Sequence, residues 1–239
     1  MIDKHLMKLR ARDRISSDEE AAIRAAVADV IKVAARRTVV RAHDPIDFST
    51  ILLSGFACRR KDLKDGRGLI TELHVAGDFT DLHSFTLKYL DHDIVALTPC
   101  TLAVVPHIRL KEITEQHPHL ARVYWFSTNL DAAIHREWEL SLARRPAAAR
   151  MAHLFCELYI RLGIAGLTNG FSYDLPLTQE LLAETLGLTS VHVNRTLQQL
   201  RSDGLVEFRQ GRLTITHWDA LQGAADFDPA YLYLDRQER

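Results

Sequence analysis

Residues 177–205, LTQELLAETLGLTSVHVNRTLQQLRSDGL, constrain the fold more tightly than any other stretch of the chain. Thr178 can cap a first helix whose Leu181, Leu182 and Leu186 face inward. Ala183 keeps that helix thin where a second must approach, Gly187 suits a reversal at positive φ, and Leu188 plugs the turn. Thr189 or Ser190 then caps a second helix with Val193, Leu197 and Leu200 inward. Residues 206–216 read as a small hairpin, which makes the unit a winged helix-turn-helix. In that geometry the second helix can lie in the major groove of DNA while the first packs behind it. Its outward residues near the start are Ser190, Val191, His192, Asn194 and Arg195. Arginine can bond bidentately to guanine, asparagine to adenine, and valine can touch a thymine methyl. A plain helical hairpin with a polar face is the simpler alternative. Turn, core spacing, hairpin and polar face together favour the DNA reader.

Overall charge gives this no support, because the chain carries a net charge of −1. Residues 146–239 hold 8 arginines and no lysine against 11 acids. Locally, Arg195, Arg201, Arg209 and Arg212 face only Asp203 and Glu207 between Ser190 and Arg212, and phosphate meets a face rather than a sum. Arg209 and Arg212, in the hairpin, are candidate backbone contacts. No apolar run approaches the ~20 residues that span a bilayer. The opening MIDKHLMKLRARDR lacks the apolar stretch of a secretory signal. A cytoplasmic location without a membrane partner is expected. Cys58, Cys100 and Cys156 stand far apart with no CxxC pair, so neither a zinc ribbon nor a disulfide scaffold is suggested. Three buried thiols are the simpler expectation, and exposure decides any redox role.

At 239 residues the chain can hold two domains, and Arg144-Arg145-Pro146 marks the break between 1–145 and 146–239. Ser17 and Glu20 fit a capping box for a helix running to about Val30. Residues 34–105 then change texture. Short β-rich runs at 37–41, 51–57, 69–74, 94–97 and 101–105 are separated by turn signals, the clearest being Asp65-Gly66. Such spacing suggests a double-sheet, jelly-roll-like β-roll. Pro118 opens a long helix in which Leu120, Val123, Ser127, Leu130, Ile134 and Trp138 recur at three- and four-residue steps. That stripe suits a coiled-coil dimer seam to about Ala143, or packing on the roll. Arg150–Leu162 reads as a further amphipathic helix ended by Gly163, and Asn169-Gly170 as a turn. The fold class is therefore α+β: an N-terminal β-roll, a long dimerisation helix and a C-terminal winged helix-turn-helix.

The 177–206 passage and this architecture resemble the Crp/Fnr family of bacterial transcription regulators. GFACRRKDLKDGRGLITELHVAGDF (residues 55–79) is similar, more loosely, to the family's hairpin and Gly-Asp-Phe turn. The resemblance implies base contacts from Ser190, Val191 and Arg195, and phosphate contacts from Gln179, Thr189 and His192. Arg195 matches the guanine-reading arginine. Val191 departs, since many members place a glutamate there that accepts from cytosine. Asn194 replaces a smaller residue and can add a contact. The implied partners are an inverted-repeat duplex, a second copy of the chain and RNA polymerase.

The sensor half departs further. Where cyclic-nucleotide binders carry a ribose glutamate and an Arg-Ser/Thr pair, this chain places Leu82, His92 and Asp93. An aspartate facing the cyclic phosphate is unfavourable, so cyclic AMP is not expected to bind in the family manner. The cysteine cluster of iron–sulfur members is absent. The candidate effector residues are Asp78, Leu82, His83, His92 and Asp93, with no cofactor or metal assigned. The histidines 74, 83, 92, 107, 117 and 119 leave a haem, metal or redox sensor with the same DNA output as the alternative. A cupin-like metalloenzyme is disfavoured, because no strand carries HxH, and neither GxSxG nor a P-loop occurs.

Overall fold

A computed structural model describes residues 1–66 and 68–239. Two helices come first, α1 (Asp3–Arg10) and α2 (Ser17–Ala25). Sequence reading missed α1. The capping box of α2 is Ser16 with Glu19, one residue earlier than expected. The Ser16 hydroxyl accepts from the Glu19 N–H while the Glu19 carboxylate accepts from the Ser16 N–H. Extended backbone at Ser16 aims its hydroxyl along the helix and sends Ile15 into the core. Nor does α2 reach Val30. Asp29–Val33 is strand β1, because its β-branched side chains pair with a strand seventy residues on.

The roll consists of β2 (Thr38–Val40), β3 (Phe48–Ser54), β4 (Ala57–Asp62), β5 (Gly68–His74), β6 (Asp93–Ala96) and β7 (Cys100–Pro106), with a one-turn helix α3 (Ser84–Leu87). Two antiparallel sheets form, in the orders β1-β7-β3 and β2-β6-β4-β5. The apolar run at 51–57 belongs to two strands. Gly55 breaks it at φ +93°, where a Cβ would stand 2.5 Å from the Pro99 carbonyl oxygen. The β4–β5 hairpin turns about Asp65-Gly66 as expected, with Gly66 at φ +82°.

Helix α4 (His107–Gln116) leads into α5 (Pro118–Arg144), with Pro118 in the first turn. The stripe expected as a dimer seam packs within its own chain: Leu120 and Val123 bury against α1 and the roll, Ile134 and Trp138 against the C-terminal half. Burial on the same subunit satisfies its apolar periodicity. The solvent face of α5 instead carries Arg122, Trp125, Asn129, Ala132, Arg136 and Leu140.

Helix α6 (Ala147–Ile164) runs through Gly163 rather than stopping there. Strands β8 (Thr168–Asn169) and β9 (Ser172–Asp174), helices α7 (Gln179–Leu186) and α8 (Ser190–Ser202), strands β10 (Val206–Arg209) and β11 (Arg212–Ile215) and helix α9 (Trp218–Ala225) complete the C-terminal half. A 3-10 turn, Pro229–Leu232, then brings the chain back against α5. The largest core is continuous across both halves. Cys58 and Leu73 of the roll share it with Trp138, Phe155 and Leu182. The fully buried Leu73, Phe155 and Leu182 each contribute about 1.5–3 kcal/mol. Polar contacts cross the same boundary. Arg60 on β4 pairs with Glu184 on α7 at 2.7 Å, and Arg161 on α6 donates to the Leu73 carbonyl at 2.7 Å.

Candidate nucleic-acid interface

Local chemistry sets the geometry of α7 and α8. Thr178 caps α7 by accepting from the Leu181 N–H at 3.2 Å. Gly187 closes it at φ +61°, and the Leu188 N–H returns to the Ala183 carbonyl at 3.0 Å. Thr189, rather than Ser190, caps α8 by accepting from the His192 N–H at 3.2 Å, which leaves its O–H free to donate outward. Val193, Leu197 and Leu200 are buried, as their spacing predicts, and Thr196 joins them.

The opposite face of α8 is open. Val191 is 82% exposed, and Arg195 is exposed with no ion pair among the described residues. Ser190, His192 and Asn194 are half-buried beside them. The Gln179 side-chain oxygen accepts from the Asn194 amide at 3.4 Å, so these two candidates meet across the helix pair. The wing turns at Gln210-Gly211, both at positive φ, the conformation of a tight hairpin. Arg209 and Arg212 flank this tip. Arg212 bonds to Asp174 on β9 at 3.0 Å, a partner that sequence reading did not identify. Among the described residues, Arg209 pairs only with Glu207, at 3.9 Å.

The five candidate effector residues do not form one site. Asp78 is buried between Lys8, at 2.5 Å, and Arg161, at 3.0 Å. Burial opposes its ionisation, but those two cations hold its carboxyl well below the usual carboxylate range. Leu82 is core. Asp93 accepts from the Ala42 N–H at 2.6 Å and so fastens β6 to the loop that follows β2. Asp78 and Leu82 border one cavity and Leu82 and His83 another, while His83 and His92 stack with ring centroids 5.3 Å apart. Burial pushes His83 down to about 2 and lowers His92 as well, so both imidazoles are neutral at neutral pH.

The interior of the roll is occupied by residues that sequence reading missed. Arg59 bridges Glu72 at 2.6 Å and Asp131 of α5 at 2.8 Å. His135 approaches Glu72 at 3.4 Å. A signal existed, since Arg59 and Glu72 are cross-strand partners when counted back from the Asp65-Gly66 tip. Among the described residues, no three His, Cys, Asp or Glu side chains converge as metal ligands. All three cysteines are buried, and burial pushes Cys58 and Cys156 up to about 12. In the native protein, Ellman's reagent should therefore label none of them until the chain unfolds. Rapid native labelling of any one would refute their assignment as structural thiols.

This arrangement, an open helix N-terminus on a helix pair with a wing, behind a roll and a long helix, defines a DNA-binding transcription regulator. Residues 149–224 match the Crp-like helix-turn-helix domain and residues 30–117 the cyclic nucleotide-binding domain. The chain is 30% identical over 186 residues to the transcriptional activator protein FnrL of Cereibacter sphaeroides, a match spanning 76% of this chain and 73% of that one. It belongs to the Crp/Fnr family of transcriptional regulators. Over 121 residues it is 29% identical to the global nitrogen regulator of Synechococcus elongatus, covering 51% of this chain and 54% of the relative. The fold is similar to that of FixK2 from Bradyrhizobium japonicum, with a TM-score of 0.76 over 83% of this chain and 97% of that one at 23% identity. Among the described residues, no helix is long and apolar enough to cross a membrane.

Proposed function

We propose that this regulator binds an inverted-repeat operator as a homodimer and does so without cyclic AMP. The open N-terminus of α8 carries the reading, with Val191 and Arg195 turned to solvent. Ser190, Val191, Asn194 and Arg195 read bases, while Gln179, Thr189 and His192 hold phosphates. Valine at 191 cannot accept from cytosine, so the operator differs there from sites read by a glutamate. Residues 1–145 form the sensing and dimerising part and 146–239 the DNA-binding part.

The dimer reading rests on the free face of α5. Trp125 is 69% exposed, and it borders a groove shared with Leu87 and Phe85. An indole left so open on a soluble subunit suits a second copy. Against cyclic AMP stand the Arg59–Glu72–Asp131 bridge inside the roll and the neutral His83 and His92, which offer a phosphate no charge.

Selection of bound duplexes from random DNA at fixed moderate salt, with sedimentation of the free protein, tests the reading. An enriched inverted repeat and a dimeric mass are expected without added nucleotide. Enrichment only after cyclic AMP is added, or a monomeric complex on a single half-site, would sink it. In the wing, loss of Arg209 should reduce the slope of log K against log salt by about one per subunit. Loss of Arg212, already paired with Asp174, should change it less. Equal slopes for the Arg209 variant and the unmodified protein would remove the wing from the interface.

A further inference from the structure

Two segments outside both family matches, at the beginning and end of the chain, meet each other. The Gln237 N–H donates to the Arg12 carbonyl at 3.0 Å, and Arg12 Nε donates to the Leu232 carbonyl at 3.2 Å. The Arg239 guanidinium donates to that same Arg12 carbonyl at 2.7 Å and lies 3.5 Å from the centre of the Phe126 ring on α5. Beneath this seam is a cavity of about 70 Å³, lined by His5, Lys8, Arg12, Asp78, Ser127 and Arg239 among others.

Charge is unevenly matched around it. Every carboxylate on its wall already serves a cation. Asp78 holds Lys8 and Arg161, Asp131 holds Arg59, and Asp13 holds His119 at 3.2 Å with Arg239 at 3.7 Å. Arg12 is different. It is only 7% exposed, yet among the described residues no carboxylate lies within ion-pair distance. Two of its N–H donors go to main-chain carbonyls, of Leu232 and Lys8, out of the five a guanidinium carries. Burial lowers it to about 10; Asp78, beyond ion-pair distance and already held by Lys8 and Arg161, attracts it from across the cavity, while Arg161 and Arg239 repel it. A buried cation whose nearest carboxylate is out of contact and shared with two other cations is better neutralised by an anion bound directly to it. His5 adds a second requirement. Its Nδ1 lies 2.8 Å from the Gly77 carbonyl and must donate to it, while Nε2 is buried without a partner. Burial lowers this histidine to about 4, so the ring is neutral and Nε2 is an acceptor. The cavity thus offers a cation in need of an oxyanion and, close by, a lone pair in need of an O–H.

We propose that this cavity is a binding site for a small oxyanion that also carries a hydroxyl, either hydrogen phosphate or a short 2-hydroxycarboxylate. Arg12 takes the charge and His5 accepts the O–H. The ligand closes the seam between the two ends of the chain, and through it holds the C-terminal half on the sensor half. The cavity adjoins the interior of the roll, sharing Asp131 with it, but Arg12, His5 and Arg239 lie outside the roll, and the proposal does not depend on how DNA is read.

The full chain is titrated with inorganic phosphate and, separately, with glycolate, at ionic strength held constant with chloride. Melting temperature and amide hydrogen exchange are followed. At least one of the two probes should raise the melting temperature saturably and slow exchange at 1–13 and 226–239. The Arg12→Met variant should bind that probe about tenfold more weakly or worse, the expected loss of a charge-assisted bond. Acetate and nitrate, which lack the hydroxyl, should bind more weakly than the responding probe. A flat response to both probes overturns the proposal. So does protection confined to 178–212, which would place the anion on the DNA-reading face, or an unchanged response in Arg12→Met. If that variant fails to fold, His5→Phe serves in its place, with the same loss expected and an unchanged response equally fatal.

Discussion

Replacing Arg161 by methionine should cost the fold about 3–5 kcal/mol, the scale of breaking a buried ion pair from one side. Its guanidinium is 5% exposed and makes three bonds, to Glu157 at 2.9 Å, Asp78 at 3.0 Å and the Leu73 carbonyl at 2.7 Å. Methionine fills much of the volume but leaves two buried carboxylates short of a cation. Lys8 still faces Asp78, which moderates the loss there, whereas among the described residues Glu157 retains only the neutral donors Trp138 and Tyr231. Denaturant unfolding of the variant measures the effect. Combination with Asp78→Asn should cost less than the two separate losses together, because the second substitution removes a charge that the first has orphaned. A loss below about 1 kcal/mol would mean that water reaches the bridge and that Arg161 contributes little to holding the halves together.

Arg195→Ala should leave the fold intact and weaken operator binding by about 1–3 kcal/mol per half-site, while relaxing preference at one base pair. The side chain is exposed and outside every ion pair among the described residues, so no structural partner is orphaned by its removal. Base specificity makes this a test of reading rather than of charge. Binding of the variant to all four substitutions at one operator position is compared with that of the unmodified protein. A uniform drop on every duplex would show that Arg195 touches phosphate only, and the reading role would then pass to Asn194 and Ser190.

Residues 177–216 were the most legible part of the chain because their geometry is set locally. Thr178, Gly187 and Thr189 punctuate the helices within a few residues, and the apolar steps between them have no competing use. Asp29–Val33 was not legible, since a short β-branched run after a helix becomes a strand only through Val104 and its neighbours. The stripe on α5 shows the limit of periodicity. Spacing at Leu120, Val123, Ile134 and Trp138 demands an apolar partner, but a second chain and the same chain satisfy it equally well. The charged groups were hardest to place. Lys8, Arg12, Arg59 and Arg161 look like surface residues in any local window, and each is buried by a partner distant in sequence.

The point where the chain passes from α5 to α6 is not a free joint. Arg145 there bonds Glu137 at 2.7 Å and the Asp226 carbonyl at 3.1 Å, and one core runs beneath it. In the proposed dimer, each reading helix is thus carried on a stiff arm. One base pair inserted between half-sites turns one of them by about 34–36° about the duplex axis and moves it about 3.4 Å along it. A subunit without slack at this point leaves that mismatch to the DNA, whose twisting and bending then determine which half-site separations the regulator tolerates.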